Sequence, residues 1–124
     1  MDTRAAFLDL EWHDAALLEI LIDRRQPGER DEVVLTLRWP DERTQRMRFL
    51  DCYGLRANLN FGIVAPESIL TATCEADAPE CKDTRETWAR VGVDLPPLLA
   101  FSVETNSTGG RIQILAARFE LTDV

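Results

Sequence analysis

Leu99-Ala100-Phe101-Ser102-Val103-Glu104-Thr105, then Asn106-Ser107-Thr108-Gly109-Gly110, then Arg111-Ile112-Gln113-Ile114 is the stretch that decides the fold. Apolar and polar residues alternate on both sides of a small, polar, glycine-containing centre. A period of two sends successive side chains to opposite faces, the signature of a half-buried strand. The central residues accept the backbone angles of a reversal, the two glycines above all. The pattern predicts strands over 97–105 and 111–122, with Phe101 and Val103 facing Ile114 and Ile112. After Ile114 the apolar phase slips to Leu115, Phe119 and Leu121, which predicts a bulge near Leu115-Ala116.

Working outward, residues 16–23 read as a first strand with Leu18, Ile20 and Ile22 inward. A Pro27-Gly28 loop leads to a second strand over 32–39. A turn at Pro40-Asp41-Glu42-Arg43 returns the chain over 44–50 with Met47 and Phe49 inward. Setting Leu37 opposite Met47 sets Leu35 opposite Phe49, so both apolar sets share one face. The same register opposes Arg38 and Arg46, and Glu19 supplies the counter-charge if Ile20 lies against Leu37. Residues 51–62 read as a short helix or turn and then a loop, 67–75 as a strand, and 80–91 as a short helix with Cys81, Trp88 and Val91 partly inward. The expectation is an α+β chain forming a single domain over 1–124. It is mainly antiparallel, a curved sheet or an open sandwich with one or two short helices. Its core holds Leu18, Ile20, Ile22, Leu35, Leu37, Met47, Phe49, Phe101, Val103, Ile112, Ile114 and Phe119.

Composition narrows the class. With 124 residues, 45% hydrophobic and 29% charged, the chain can bury a core without metal or disulfide support. No apolar run reaches the roughly 18 residues of a membrane span. Met1-Asp2-Thr3-Arg4 lacks a signal-peptide layout, so the expected location is cytoplasmic. A net charge of −8 argues against nucleic acid, whose phosphates demand clustered positive charge, and for a basic protein partner. Cys52, Cys74 and Cys81 are odd in number and lack the close Cys-x-x-Cys knuckles of zinc sites. They read as reduced, buried thiols, and no metal or cofactor is expected.

Candidate chemistry centres on the only histidine, in Trp12-His13-Asp14-Ala15. Histidine titrates near neutrality, so acid–base chemistry would use it. Adjacent residues of an extended segment point to opposite sides, which places Asp14 poorly for orienting the His13 ring. A pocket around His13 would draw on Asp14, Tyr53, Asn58 and Asn60. The plainer reading has His13 bonded to backbone at a strand entrance, with Trp12 on the core edge. Cys52 and Cys81 follow Asp51 and Glu80, and a neighbouring carboxylate raises a thiol's pKa rather than activating it. No glycine-rich phosphate loop, His-Glu-x-x-His or Gly-x-Ser-x-Gly occurs.

The opening Trp12-His13-Asp14-Ala15, followed by Leu18-Glu19-Ile20, resembles small bacterial proteins, immunity protein 50 of polymorphic toxin systems among them. Asp51-Cys52-Tyr53 and Asn60-Phe61-Gly62 are the internal landmarks of that resemblance. It implies a cytoplasmic protein that binds and blocks a toxin, and it carries no catalytic residues. Two readings stand. The first is a non-enzymatic protein-binding module, immunity-like, whose acids Glu75, Asp77, Glu80, Asp83 and Glu86 meet a basic partner. The second is an enzyme or small-ligand-binding domain with its pocket around His13.

Overall fold

The computed structural model describes residues 2–124. Two short helices and six strands follow in the order α1 (Thr3–Leu8), β1 (Ala16–Gln26), β2 (Arg30–Arg38), β3 (Thr44–Asn58), β4 (Ile69–Glu75), α2 (Pro79–Ala89), β5 (Leu99–Thr105) and β6 (Arg111–Asp123). The strands form one antiparallel sheet in the order β1-β2-β3-β6-β5-β4. Each strand pair within β1-β2-β3 and β4-β5-β6 joins chain neighbours, and the β3–β6 pairing ties the two halves together.

The decisive hairpin forms as its alternation dictates. Phe101 pairs with Ile114 and Val103 with Ile112, all four at most 2% exposed. Leu35, Leu37, Met47 and Phe49 complete the same inner face, each fully buried. Phe7 of α1 enters this core and meets Phe101 edge-on at 5.0 Å. A six-residue helix is marginal alone, so burial of Phe7 and the Asp2 cap on the Ala5 N–H hold α1 in place. The sequence pattern did not disclose this helix. On the opposite face, Ala78 and Cys81 of the α2 region pack with Leu95 and Leu98 over Ala100 and Leu115.

The sheet is open but rolled. Ala16 pairs with Arg38 on one side and forms an antiparallel bridge with Ser68 on the other. The Asp14 N–H donates to the Ile69 carbonyl at 3.1 Å, the Ile69 N–H to Ala15 at 2.8 Å, and the Leu17 N–H to Glu67 at 2.9 Å. The two edge strands are thereby stitched together at one end.

Several expectations are corrected. Leu18 is 44% and Ile22 54% exposed, and Ile20 is only partly buried. β1 carries a bulge between Leu17 and Glu19, so Leu17 takes the core position and Leu18 is the displaced residue. Ile22, opposite Val33, lies towards the hairpin end of an edge strand, where it lines a cleft rather than the closed core. The β2–β3 register sits two residues from the expected one, with Leu35 opposite Met47 and Val33 opposite Phe49. An even shift preserves which face is apolar. It also removes the opposition of Arg38 and Arg46. Thr36 stands between Glu19 and Arg46, and its hydroxyl donates to Glu19 at 3.1 Å. The buried counter-charge is Glu32, 6% exposed, which takes the Arg48 guanidinium at 2.7 and 3.0 Å.

Residues 51–58, expected to leave the sheet, continue β3 against β6. Pairing along the sheet outweighs the weak local pattern there. The bulge expected near Leu115-Ala116 lies opposite those residues, with Tyr53 as the extra residue on β3. Trp88 is partly covered, 40% exposed and packed on Tyr53, whereas Val91 is 71% exposed because α2 ends at Ala89 and Val91 falls in the following turn.

Gly110 shows how tightly the β5–β6 turn is packed. A Cβ there would stand 2.9 Å from the Leu59 side chain and 3.2 Å from the Asn58 carbonyl. Gly110→Ala is expected to cost about 1–3 kcal/mol, the range for overpacking. A denaturant titration measures it, and a change within about 0.5 kcal/mol, the scale of an unconstrained surface site, would contradict this packing.

Candidate functional site

β3 makes its neighbours unequally. It pairs with β2 only from Arg38↔Thr44 to Val33↔Phe49, but with β6 from Gln45↔Asp123 to Asn58↔Arg111. Beyond Phe49 the β1–β2 hairpin and β3 no longer pair. Asp51 takes a left-handed φ of 52° here, where Asp is one of the few non-glycine residues tolerated, and the Tyr53 bulge follows. A cleft of about 700 Å³ occupies this region, between the hairpin, the β3 bulge and the end of α2.

Apolar groups supply much of its surface. Ile22, Leu50, Leu55, Tyr53, Trp88 and Val93 all line it. Tyr53 and Trp88 meet edge-on, with ring centroids 5.8 Å apart and planes at 76°, which fixes α2 against the bulge. Apart from Glu29, the charged rim is paired among the described residues. Arg118 Nη1 is 3.1 Å from Asp51, and Arg24 Nε donates to Asp31 at 2.9 Å. The Arg24 bond and a second from the Gly28 N–H hold the Asp31 carboxyl below the ordinary carboxylate range. Such exposed pairs contribute little to stability, but they orient the rim.

Cys52 also lines the cleft, and burial pushes its thiol up. Desolvation raises Cys74 to about 11 and, with Glu80 nearby, raises Cys81 as well. A raised pKa removes thiolate at neutral pH, so none of the three is an activated nucleophile. Among the described residues no group of three or more His, Cys, Asp or Glu is placed to hold a metal ion.

Of the residues expected around His13, only Tyr53 lines the cleft. His13 and Asp14 stand in the turn before β1, with side chains 74% and 71% exposed. His13 Nδ1 lies 3.4 Å from the Leu70 carbonyl, the backbone contact the plainer reading foresees. Asp14 has a φ of 68°, so the extended geometry assumed from sequence does not apply, and its carboxylate lies 3.8 Å from His13 Nε2. Asn58 ends β3 opposite Arg111, and Asn60 donates to the Thr108 carbonyl at 3.0 Å. Both belong to the far end of β3 and its tether to the β5–β6 turn.

The acidic run is placed along one flank. Glu75 ends β4, and Glu80, Asp83 and Glu86 recur every three residues along α2, with Asp77 in the connection. Glu75 and Glu80 both raise the Cys81 thiol, so both lie near it. Among the described residues none of the five has an ion-pair partner within 4 Å. A further exposed surface follows β3, where Phe61, Ile63 and Val64 are 88%, 58% and 104% exposed. Their loop is held at both ends, by Asn60 at its start and by the Ser107 hydroxyl donating to the Pro66 carbonyl at 2.6 Å. Among the described residues no helix is long and apolar enough to cross a membrane.

In comparisons with known proteins, no family model, curated protein or solved structure matches this chain.

Proposed function

We propose that this chain is a non-enzymatic protein-binding module that takes a basic partner across the cleft and the acidic flank of α2. One observation carries the reading. A single helix, α2, contributes Trp88 to the apolar cleft and also presents unpaired Glu80, Asp83 and Glu86. An apolar centre with a charged rim is the usual anatomy of a protein interface. Unpaired acids add attraction for a basic protein that acts over about a Debye length, roughly 8 Å at physiological salt. The exposed Phe61, Ile63 and Val64 support the same reading, since large apolar groups held at a surface mark contact sites. The raised thiols and the isolated His13 give a reaction no evident base or nucleophile. Blocking a toxin, as the immunity-like resemblance implies, is a form of such binding and needs no chemistry from this chain.

The test reverses the five acids together: Glu75→Lys, Asp77→Lys, Glu80→Lys, Asp83→Lys and Glu86→Lys. The native chain, captured with chemical crosslinking from a bacterial extract, is expected to hold a basic protein whose association weakens with salt. The reversed chain is expected to bind that protein at least tenfold more weakly and with less salt dependence. Equal capture by both chains would remove the acidic flank from the interface.

A further inference from the structure

Among the described residues, 50–58 of β3 have a neighbouring strand on one side only, and this free edge opens from the cleft. Beyond the Tyr53 bulge, residues 54–58 keep an unbroken register with β6, from Gly54↔Leu115 to Asn58↔Arg111. Among the described residues no backbone hydrogen bond reaches this segment from anything but β6, and the one side-chain bond to its backbone is from the Cys52 thiol to the Gly54 carbonyl at 3.7 Å, at the cleft end. Ala57 makes the vacancy visible. It is exposed, although its β6 partner Ile112, opposite on the same face, is fully buried. Edge strands are ordinarily guarded by proline, inward charge, bulges or a covering loop. Here residues 54–58 contain no proline, and the single bulge guards only the cleft end.

We infer that residues 54–58 of β3 are a strand-addition site, where an extended segment of the partner protein pairs as an added strand with one end in the cleft. The inference rests on the protein-binding reading above. An unpaired edge offers alternating N–H and C=O groups that only an extended backbone can satisfy together, while alternate side chains set specificity. Charge selects the occupant. A second copy of this chain also carries −8, so two copies repel. The incoming strand places apolar side chains opposite Leu55 and Ala57, which share the inner face. Opposite Arg56, exposed on the other face, it places an acid or hydroxyl. In the cleft Arg24, Arg30 and Arg118 are paired with Asp31, Glu32 and Asp51, and Glu29 is the lining charge without an ion pair among the described residues, so the end that enters the cleft is basic.

A displayed library of random decapeptides, selected against the whole chain, tests this. The enriched peptides are expected to alternate apolar residues around a central acid or hydroxyl, with lysine or arginine at one end. Saturating with such a peptide should slow hydrogen exchange at alternate amides of 54–58 at least tenfold. Methylating the peptide's β3-facing backbone nitrogens should weaken binding at least tenfold, and methylating the alternate set should change it less than threefold. Arg56→Glu should turn the preferred central residue from acid to base. Peptides that bind without slowing exchange at 54–58, or that tolerate both methylation patterns, overturn strand addition. If their binding still falls on reversing the five acids, the protein-binding reading survives that loss. A library that yields no binder, or only binders indifferent to the acids, the cleft and 54–58, overturns both.

Discussion

Phe101→Ala is expected to destabilise the fold by about 3–5 kcal/mol, the cost of deleting a fully buried phenylalanine. Its ring is the hub of the core, 5.0 Å from both Phe7 and Phe49 and 6.1 Å from Phe119. Those contacts join α1 to β3, β5 and β6, so one truncation loosens every layer of the inner face. Collapse around the cavity is limited because β5 is held by ladders on both sides, to β4 and to β6. A urea titration should show a lower midpoint with an unchanged slope, the mark of lost stability rather than an altered unfolded state. A loss below about 1 kcal/mol would mean that Phe101 is not enclosed as it stands here. Ile114→Ala, at its paired position, is expected to cost about 2–5 kcal/mol. The double variant should fall short of the sum, since the two residues share one cavity.

The same residues mark how far the sequence could be read. Phe101, Val103, Ile112 and Ile114 were legible because strict alternation admits one inward set, and the Asn-Ser-Thr-Gly-Gly turn fixed which strands meet. The inward faces of β2 and β3 were legible for the same reason, and survived a register two residues from the expected one. Leu18 and Ile22 were misread because alternation cannot tell a covered strand from an edge strand, nor reveal a bulge at Leu18. Tyr53 and Gly54 hid the continuation of β3. Gly54 is weak in a strand by propensity, yet a Cβ there would press on the Leu115 side chain at 3.1 Å. The cleft was illegible because it arises from β2 leaving β3 while β6 stays, a difference in pairing partners that no local pattern encodes. Of its lining, the sequence marks Cys52 and Tyr53 on other grounds and turns Trp88 partly inward, but nothing in it brings the three to one cleft.

The opening Trp12-His13-Asp14-Ala15 is expected to divide sharply under mutation, and the division decides what the motif is for. Trp12→Ala should cost about 3–5 kcal/mol, comparable to Phe101→Ala. The Trp12 indole is 5% exposed, lies 4.7 Å from the Phe7 ring and 5.2 Å from Trp39, and donates to the Phe7 carbonyl at 2.7 Å. It therefore binds α1 to the β2–β3 turn and delivers the next residues to the seam with β4. Ala15, fully buried, leaves room for the Ile69 strand to close within hydrogen-bonding distance. His13→Ala, by contrast, should stay within about 0.5 kcal/mol, as befits an exposed side chain. Trp12→Ala should also speed hydrogen exchange at the Ile69 and Leu17 amides well before global unfolding, because the seam opens locally. If His13→Ala proves as costly as Trp12→Ala, the histidine has a buried role that this geometry does not contain. If it is neutral, the fastening belongs to Trp12 and Ala15, and His13 is an exposed turn residue beside them.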